Sequence, residues 1–139
     1  MSSVIVYRSF LGATRQYAEW LAASIKADIY NFKDISGEKL GRYNTIVVAS
    51  GTYIGWMPLV RYLIQNWKQI ENKNVIVLAV GLVSEENAAS KAAYNKIPGY
   101  IRAKIRYFKL PGKVDPVSSS SIKEENLDRV IEYVKSISK

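Results

Sequence analysis

Apolar and polar positions along this chain fall into two alternating rhythms. Unbroken, largely β-branched runs occur at Ser3–Tyr7 (SVIVY), Thr45–Ala49 (TIVVA) and Asn74–Val80 (NVIVLAV). Short runs that stay apolar without alternating predict strands buried on both faces, as in a parallel sheet covered by helices. Two weaker strand signals accompany them, Asp28–Phe32 (DIYNF) and the alternating Lys104–Leu110 (KIRYFKL). Between the strands the period changes to that of a helix. Thr14–Lys26 sets Tyr17, Ala18, Leu21 and Ile25 on one face, and Met57–Ile70 does the same with Val60, Leu63, Ile64 and Trp67. Ser84–Ile97 contains the alanine-rich EENAASKAAYNKI, a good helix former ended by Pro98-Gly99. Ser121–Ser138 aligns Leu127, Val130, Ile131, Val134 and Ile137 in one stripe, and Ser121 and Glu124 have capping-box spacing at its start. The piece Lys33–Asn44 is short and polar and predicts a helical stub. Strand and helix thus alternate from end to end, which predicts an α/β fold with right-handed crossovers and a doubly wound parallel sheet.

At 139 residues the chain suits a single domain spanning 1–139. No apolar run approaches the roughly 18 residues of a membrane helix, and MSSVIVYRS lacks the pattern of a secretory signal. The expected location is cytoplasmic. Composition matters most through what it lacks. Without cysteine or histidine there is no disulfide, thiolate nucleophile, iron–sulfur cluster or Cys/His zinc site, and no Ser-His-Asp triad. Chemistry at neutral pH would then fall to carboxylates, tyrosines, lysines or a bound cofactor. The formal charge of +8 fits an acidic partner or simple solubility. The cations thicken between Asn87 and Val114, where Lys91, Lys96, Arg102, Lys104, Arg106, Lys109 and Lys113 occur with no acid. This cluster reads either as a docking face for an acidic protein or as a solvated edge protected against strand pairing.

In an open parallel sheet, ligands bind beyond the carboxyl ends of the strands, where strand order reverses. Three loops meet there if the first strand is central: Arg8–Thr14, Ser50–Met57 and Gly81–Glu85. In RSFLGAT, Ser9 and Thr14 offer hydroxyls and Gly12 permits a close backbone approach. The following helix aims free N–H groups and its positive dipole end into the loop, a nest suited to a phosphate. The plainer reading is a tight turn with Thr14 as N-cap. In SGTYIGWMP, two glycines bracket Tyr53 and Trp56 follows. That pattern suits a slot for a flat ring, or else aromatics packed over the sheet edge. In GLVSEE, Gly81 precedes Ser84, an expected N-cap. The first loop is neither a Walker loop nor a dinucleotide fingerprint, because Gly-Lys-Ser/Thr and Gly-x-Gly are both missing.

With these three loops together, the chain resembles the flavodoxin family. It is most similar to the flavodoxin-domain branch that includes the flavodoxin-type protoporphyrinogen oxidase. VIVYRSFLGATRQYAEWLA, TIVVASGTYIGWMPLVRYLIQNW, VIVLAVGLVS and KLPGKVDP carry the resemblance, which covers nearly the whole chain. Flavodoxin phosphate loops usually read Ser/Thr-x-Thr-Gly-x-Thr; Ser9, Gly12 and Thr14 match, while Leu11 replaces the middle threonine. The resemblance implies a flavodoxin-like sheet in the order 2-1-3-4-5 and one noncovalent FMN. Its phosphate would sit over Ser9, Phe10, Leu11, Gly12, Ala13 and Thr14. Its ring would lie between Gly51, Thr52, Tyr53, Ile54, Gly55 and Trp56 on one side and Gly81, Leu82, Val83 and Ser84 on the other. Tyr53 is the first candidate for stacking and Trp56 the second. The implied role is electron transfer, with a redox protein partner such as a ferredoxin or an acidic reductase domain. Because the chain is basic, full reduction of the flavin to its anionic form is expected to be easier than in an acidic relative.

Other readings stay open on the sequence alone. A small-molecule electron acceptor, a quinone or a porphyrinogen, would make the protein a reductase or oxidase. The porphyrinogen-oxidising relatives carry a longer insertion near the chain end, where only Leu110–Ser120 is present here. A flavin-less scaffold or a nucleic-acid-binding module would use the basic surface, but no RRM, KH or helix-turn-helix signature appears. A phosphoacceptor receiver domain is excluded, because Arg8-Ser9 and Ser50-Gly51 occupy the places its acids require.

Overall fold

The apolar runs that never alternate become the strands with a helix on each side. The computed structural model describes residues 2–10, 12–52, 56–81, 88–112 and 122–138. Its strands are β1 (Ser3–Arg8), β2 (Asp28–Asn31), β3 (Thr45–Gly51), β4 (Asn74–Gly81) and β5 (Ile105–Pro111). All neighbours pair in parallel, in the order β2-β1-β3-β4-β5. One row across the sheet reads Ile29, Ile5, Val47, Ile76 and Arg106. The helices are α1 (Ala13–Ile25), α2 (Gly37–Leu40), α3 (Leu59–Ile70), α4 (Ala88–Asn95), α5 (Gly99–Arg102) and α6 (Asp128–Ile137).

Successive side chains of a strand point to opposite faces, so the sheet divides its apolar residues between two cores. Val4, Val6, Ile46, Val48, Val75 and Val77 pack under α2, α3 and α5, with Leu40, Leu63, Trp67 and Ile101 as the helical contribution. Ile5, Val47, Ile76 and Leu78 pack under α1 and α6, against Tyr17, Leu21, Val130 and Val134. The predicted doubly wound α/β sheet with five parallel strands is therefore present.

Several boundaries differ from the sequence reading for identifiable reasons. Phe32 leaves the predicted second strand and opens a 3₁₀ turn over Phe32–Asp34, because the Asn31 side chain accepts a bond from the Lys33 N–H and bends the chain. The third helix starts at Leu59 instead of Met57. Its buried face is Leu59, Leu63, Trp67 and Ile70, so the stripe is rotated from the predicted one and Ile64 is exposed. Pro98-Gly99 ends one helix but also begins another, α5. Such a start is natural for proline, since the first helical amides have no internal acceptor. The last helix begins only at Asp128, after a 3₁₀ turn over Glu124–Leu127. Ser121, half of the predicted capping box, lies outside the described residues, as does Ser84.

Candidate functional site

The chain leaves β1 toward β2 on one side of the sheet, while β3 lies on the other. The strand order therefore reverses between β1 and β3, and the loops beyond their carboxyl ends open a crevice there. Ser9, Phe10 and Gly12 stand at this crevice. Gly12, not Thr14, is the N-cap of α1, and its backbone is left-handed with φ 92°. A side chain there would be strained. The Gly12 N–H donates to Ser9 Oγ at 3.1 Å, which leaves the Ser9 hydroxyl hydrogen to serve as a donor. The first turn of α1 has neither a side-chain cap nor an acidic residue. Thr14 sits in that turn with only 3 % exposure. With no acceptor inside the helix for its first amides, this terminus is suited to an anion.

Next to this nest stands a cation on aromatic faces. The Arg8 guanidinium lies 5.1 Å from the Phe10 ring centre and 5.0 Å from that of Phe32. Phe10 is itself exposed. Sequence reading named Phe10 only as a loop member; the second ring on Arg8, Phe32, is brought there by the turn after β2, which periodicity does not encode.

The second loop begins at the buried end of β3. Ser50 Oγ accepts from the Leu59 N–H at 3.4 Å and donates to the Gly51 carbonyl at 2.9 Å, tying the strand end to the start of α3. Thr52 then bridges to β4: its N–H donates to the Val80 carbonyl at 2.8 Å and its hydroxyl donates to the same oxygen at 3.3 Å. Trp56 is half exposed, so the reading of that indole as a packed cover for the sheet does not hold. It borders an open groove with Met57, Arg61, Ile64 and Lys96.

The third loop is rooted at Gly81, which is buried. The Gly112 N–H donates to the Gly81 carbonyl at 2.8 Å. A Cβ on Gly112 would come within 3.1 Å of the Gly81 Cα, and a Cβ on Gly81 would collide with Thr52 Oγ1. Glycine is required here for close backbone approach instead of for turn geometry. Of the predicted site residues, the fold brings Ser9, Phe10, Gly12, Ala13, Thr14, Gly51, Thr52, Trp56 and Gly81 to the carboxyl edge of the sheet. Leu11, Tyr53, Ile54, Gly55, Leu82, Val83 and Ser84 lie outside the described residues.

One cation of the basic cluster faces inward. Lys109 Nζ donates to Thr52 Oγ1 at 2.8 Å, and its burial lowers the ammonium's pKa. The alternation of KIRYFKL carried the signal: Lys109 shares a face with Ile105 and Tyr107, which pack on the core. The other members behave as edge charges. Lys91, Lys96, Lys104 and Arg106 are exposed. Arg106 covers Phe108 and Tyr133 at 5.1 and 5.4 Å, and Arg102 covers Tyr94 at 5.5 Å. Lys113 lies outside the described residues. Among the described residues, no group of three acidic, His or Cys side chains could hold a metal ion, and no helix is long and apolar enough to cross a membrane.

A helix N-terminus suited to an anion, a close-packed glycine contact and the exposed side chains of Phe10 and Trp56 share one edge of the sheet. Comparison with known proteins bears on that geometry. No curated protein matches the sequence. Among solved structures, similar folds include a flavodoxin from the domain Archaea, with TM-score 0.68, 16% identity and 100% of each chain covered. Oxidised Flavodoxin 2 from Bacillus cereus aligns with TM-score 0.63 and 16% identity over 97% of this chain and 99% of that one. Two-electron reduced flavodoxin from Megasphaera elsdenii aligns with TM-score 0.64 and 13% identity over 89% and 95%. The family model described as "Flavodoxin domain" matches residues 4–127. That span runs from β1 to the turn before α6 and includes all three loops, and on it the chain belongs to the flavodoxin domain family.

Proposed function

We propose that this protein binds one FMN without a covalent bond and carries electrons between redox partners. The observation that carries the reading is the uncapped start of α1, with left-handed Gly12 and the Ser9 hydroxyl at the strand-order reversal. A nest sized for one terminal phosphate favours FMN. Ser9 and the backbone of Gly12 to Thr14 would hold the phosphate. Thr52 and Gly81 would border the ring, with Trp56 toward solvent. The flavin supplies one- and two-electron chemistry when bound; the chain contributes orientation, water exclusion and charge. The two relatives described as oxidised and as two-electron reduced are redox proteins of this fold, which supports the reading by analogy.

The visible absorption spectrum tests it. Purified protein is mixed with FMN, freed of excess and recorded. Two flavin bands that stay with the protein are the expected result. A colourless protein that cannot be reconstituted overturns the reading and leaves a scaffold with a basic surface.

An acidic protein is the partner class that the exposed cations favour, in a cytoplasmic setting. Where Arg102 and Arg106 cover aromatic faces, they already serve the sheet edge, so docking would rest on Lys91, Lys96 and Lys104. A second reading has one observation in its favour. The groove beside Trp56 offers an apolar wall of Val60 and Ile64 with Arg61 and Lys96 at its rim. It suits a planar acceptor with acidic substituents, so reductase or oxidase turnover of such a molecule is the alternative role.

A further inference from the structure

Among the described cations of its cluster, Lys109 is the one whose ammonium turns inward to a loop hydroxyl. Its ammonium crosses from β5 over the end of β4 to the residue that follows β3. It donates to Thr52 Oγ1 at 2.8 Å, and its Nζ would stand 2.6 Å from a Cβ placed on Gly81. One side chain thus touches the roots of both loops that border the ring position. The missing side chain at Gly81 is what lets the ammonium in. No carboxylate among the described residues is within ion-pair distance; the described pairs are Arg15–Glu19, Arg42–Glu38 and Lys123–Glu125, all elsewhere. A half-buried ammonium with no counter-ion among the described residues is costly, and an anion arriving beside it would offset that cost.

We propose that Lys109 is the electrostatic positioning residue of the flavin site, favouring fully reduced FMN over oxidised FMN. The inference rests on the FMN reading above. Full reduction takes two electrons and one proton from a reductant and solvent and leaves one additional negative charge on the ring. A fixed positive charge at the loop roots attracts that state more than the neutral one. The Thr52 hydroxyl holds the ammonium in place while donating to the Val80 carbonyl. Net charge of the whole chain acts on every flavin state through screening solvent; Lys109 acts locally, and the two effects are separable.

The test is a spectroelectrochemical titration of FMN-loaded protein, with dissociation constants for oxidised and dithionite-reduced FMN. Lys109→Met is expected to weaken binding of the reduced state about tenfold relative to the oxidised state, a fall of about 30 mV in the two-electron midpoint potential. Lys109→Arg restores most of the shift. Arg106→Met removes an exposed edge charge from the same strand and leaves the midpoint within about 5 mV, a margin small beside the 30 mV step. Wild-type protein also gives a readout that needs no variant: acylation of Lys109 by acetic anhydride, followed by mass spectrometry, is slower with reduced FMN bound than in the apoprotein. Should Lys109→Met fail to fold, Thr52→Val provides the second perturbation, expected to give a smaller shift of the same sign. A wild type that never retains FMN refutes the cofactor reading itself. FMN retained with the same potential in Lys109→Met and wild type overturns the role of Lys109 alone, as does equal acylation in both states.

Discussion

Removing one hydroxyl from Tyr17 isolates the interaction that ties the end of β5 and the turn before α6 to the first helix. Tyr17 is fully buried in α1. Its hydroxyl donates to the Pro111 carbonyl at 2.7 Å and accepts from Asn126 Nδ2 at 2.9 Å. Tyr17→Phe keeps the ring and its edge contact with Trp20, whose centroid is 6.0 Å away. Only the two hydrogen bonds are lost. Each is worth about 1 kcal/mol net. Pro111 is exposed and Asn126 half-buried, so both freed groups can reach water and the full desolvation penalty does not apply. We therefore expect a loss of about 1–2 kcal/mol. For a domain of this length that lowers Tm by roughly 3–8 °C. Circular dichroism melts of the wild type, Tyr17→Phe, Asn126→Ala and the double variant form a thermodynamic cycle. The expected coupling is about 0.5–1 kcal/mol. The pH dependence supplies a second sign. Burial, partly opposed by the Asn126 bond, raises the Tyr17 pKa above its ordinary value of 10.0. The neutral hydroxyl therefore adds stability below pH 10 that is lost as pH rises through the raised value; the phenylalanine variant lacks this alkaline loss. A melt within 1 °C of wild type together with zero coupling would refute the reasoning.

Three further outcomes follow from the geometry. Gly12→Ala forces a side chain into a backbone with φ 92° and should cost about 1–2 kcal/mol, measured by urea unfolding, while lowering FMN affinity in a fluorescence titration; unchanged affinity would count against the nest. Tyr62 has a buried hydroxyl with no hydrogen-bond partner among the described residues, so Tyr62→Phe should stabilise the protein by about 1 kcal/mol. Burial pushes the Tyr62 pKa up to about 12, so the wild type loses stability as pH rises from 10 toward 12 and the variant loses less; parallel pH profiles would contradict this. Gly81→Ala displaces the Thr52 hydroxyl and Lys109 Nζ and should cost about 1–3 kcal/mol, read from the chemical denaturation midpoint, with an unaltered midpoint as the contrary result.

The sheet was legible because Val4–Val6, Ile46–Val48 and Val75–Val77 are buried on both faces and leave no polar alternation to misread. The helix stripes were legible where one wall dominates, as for α1 and α6. They blurred at α3: Val60 and Ile64 are as apolar as Leu59 and Leu63, and only the tie from Ser50 Oγ to the Leu59 N–H fixes which side faces inward. The site was legible in its backbone and not in its charges. Gly12 is readable as a position where a Cβ is unwelcome; Gly81 reads only as a loop member, and its crowding against Thr52 emerges from the fold. Arg8 on Phe32 and Lys109 on Thr52 depend on contacts between residues 24 and 57 positions apart, and local pattern carries no record of these. The lysine run from Lys91 to Lys109 looks uniform in sequence, yet its last member points the other way because period two carries it inward.

The central position of β1 sets an order on how this protein is made. Its strand leaves the ribosome before either partner, has no neighbour until residues 28–31 follow, and gains its second neighbour only with residues 45–51. During synthesis at roughly 5–20 residues per second, its apolar residues wait for seconds before both sides are covered. β5 and α6 follow later, and the Tyr17 hydroxyl meets Pro111 and Asn126 across 94 and 109 residues of chain. The two bonds of this hydroxyl thus link α1 to segments translated about a hundred residues after it. A chain interrupted before Asn126 can pair its sheet but cannot latch it.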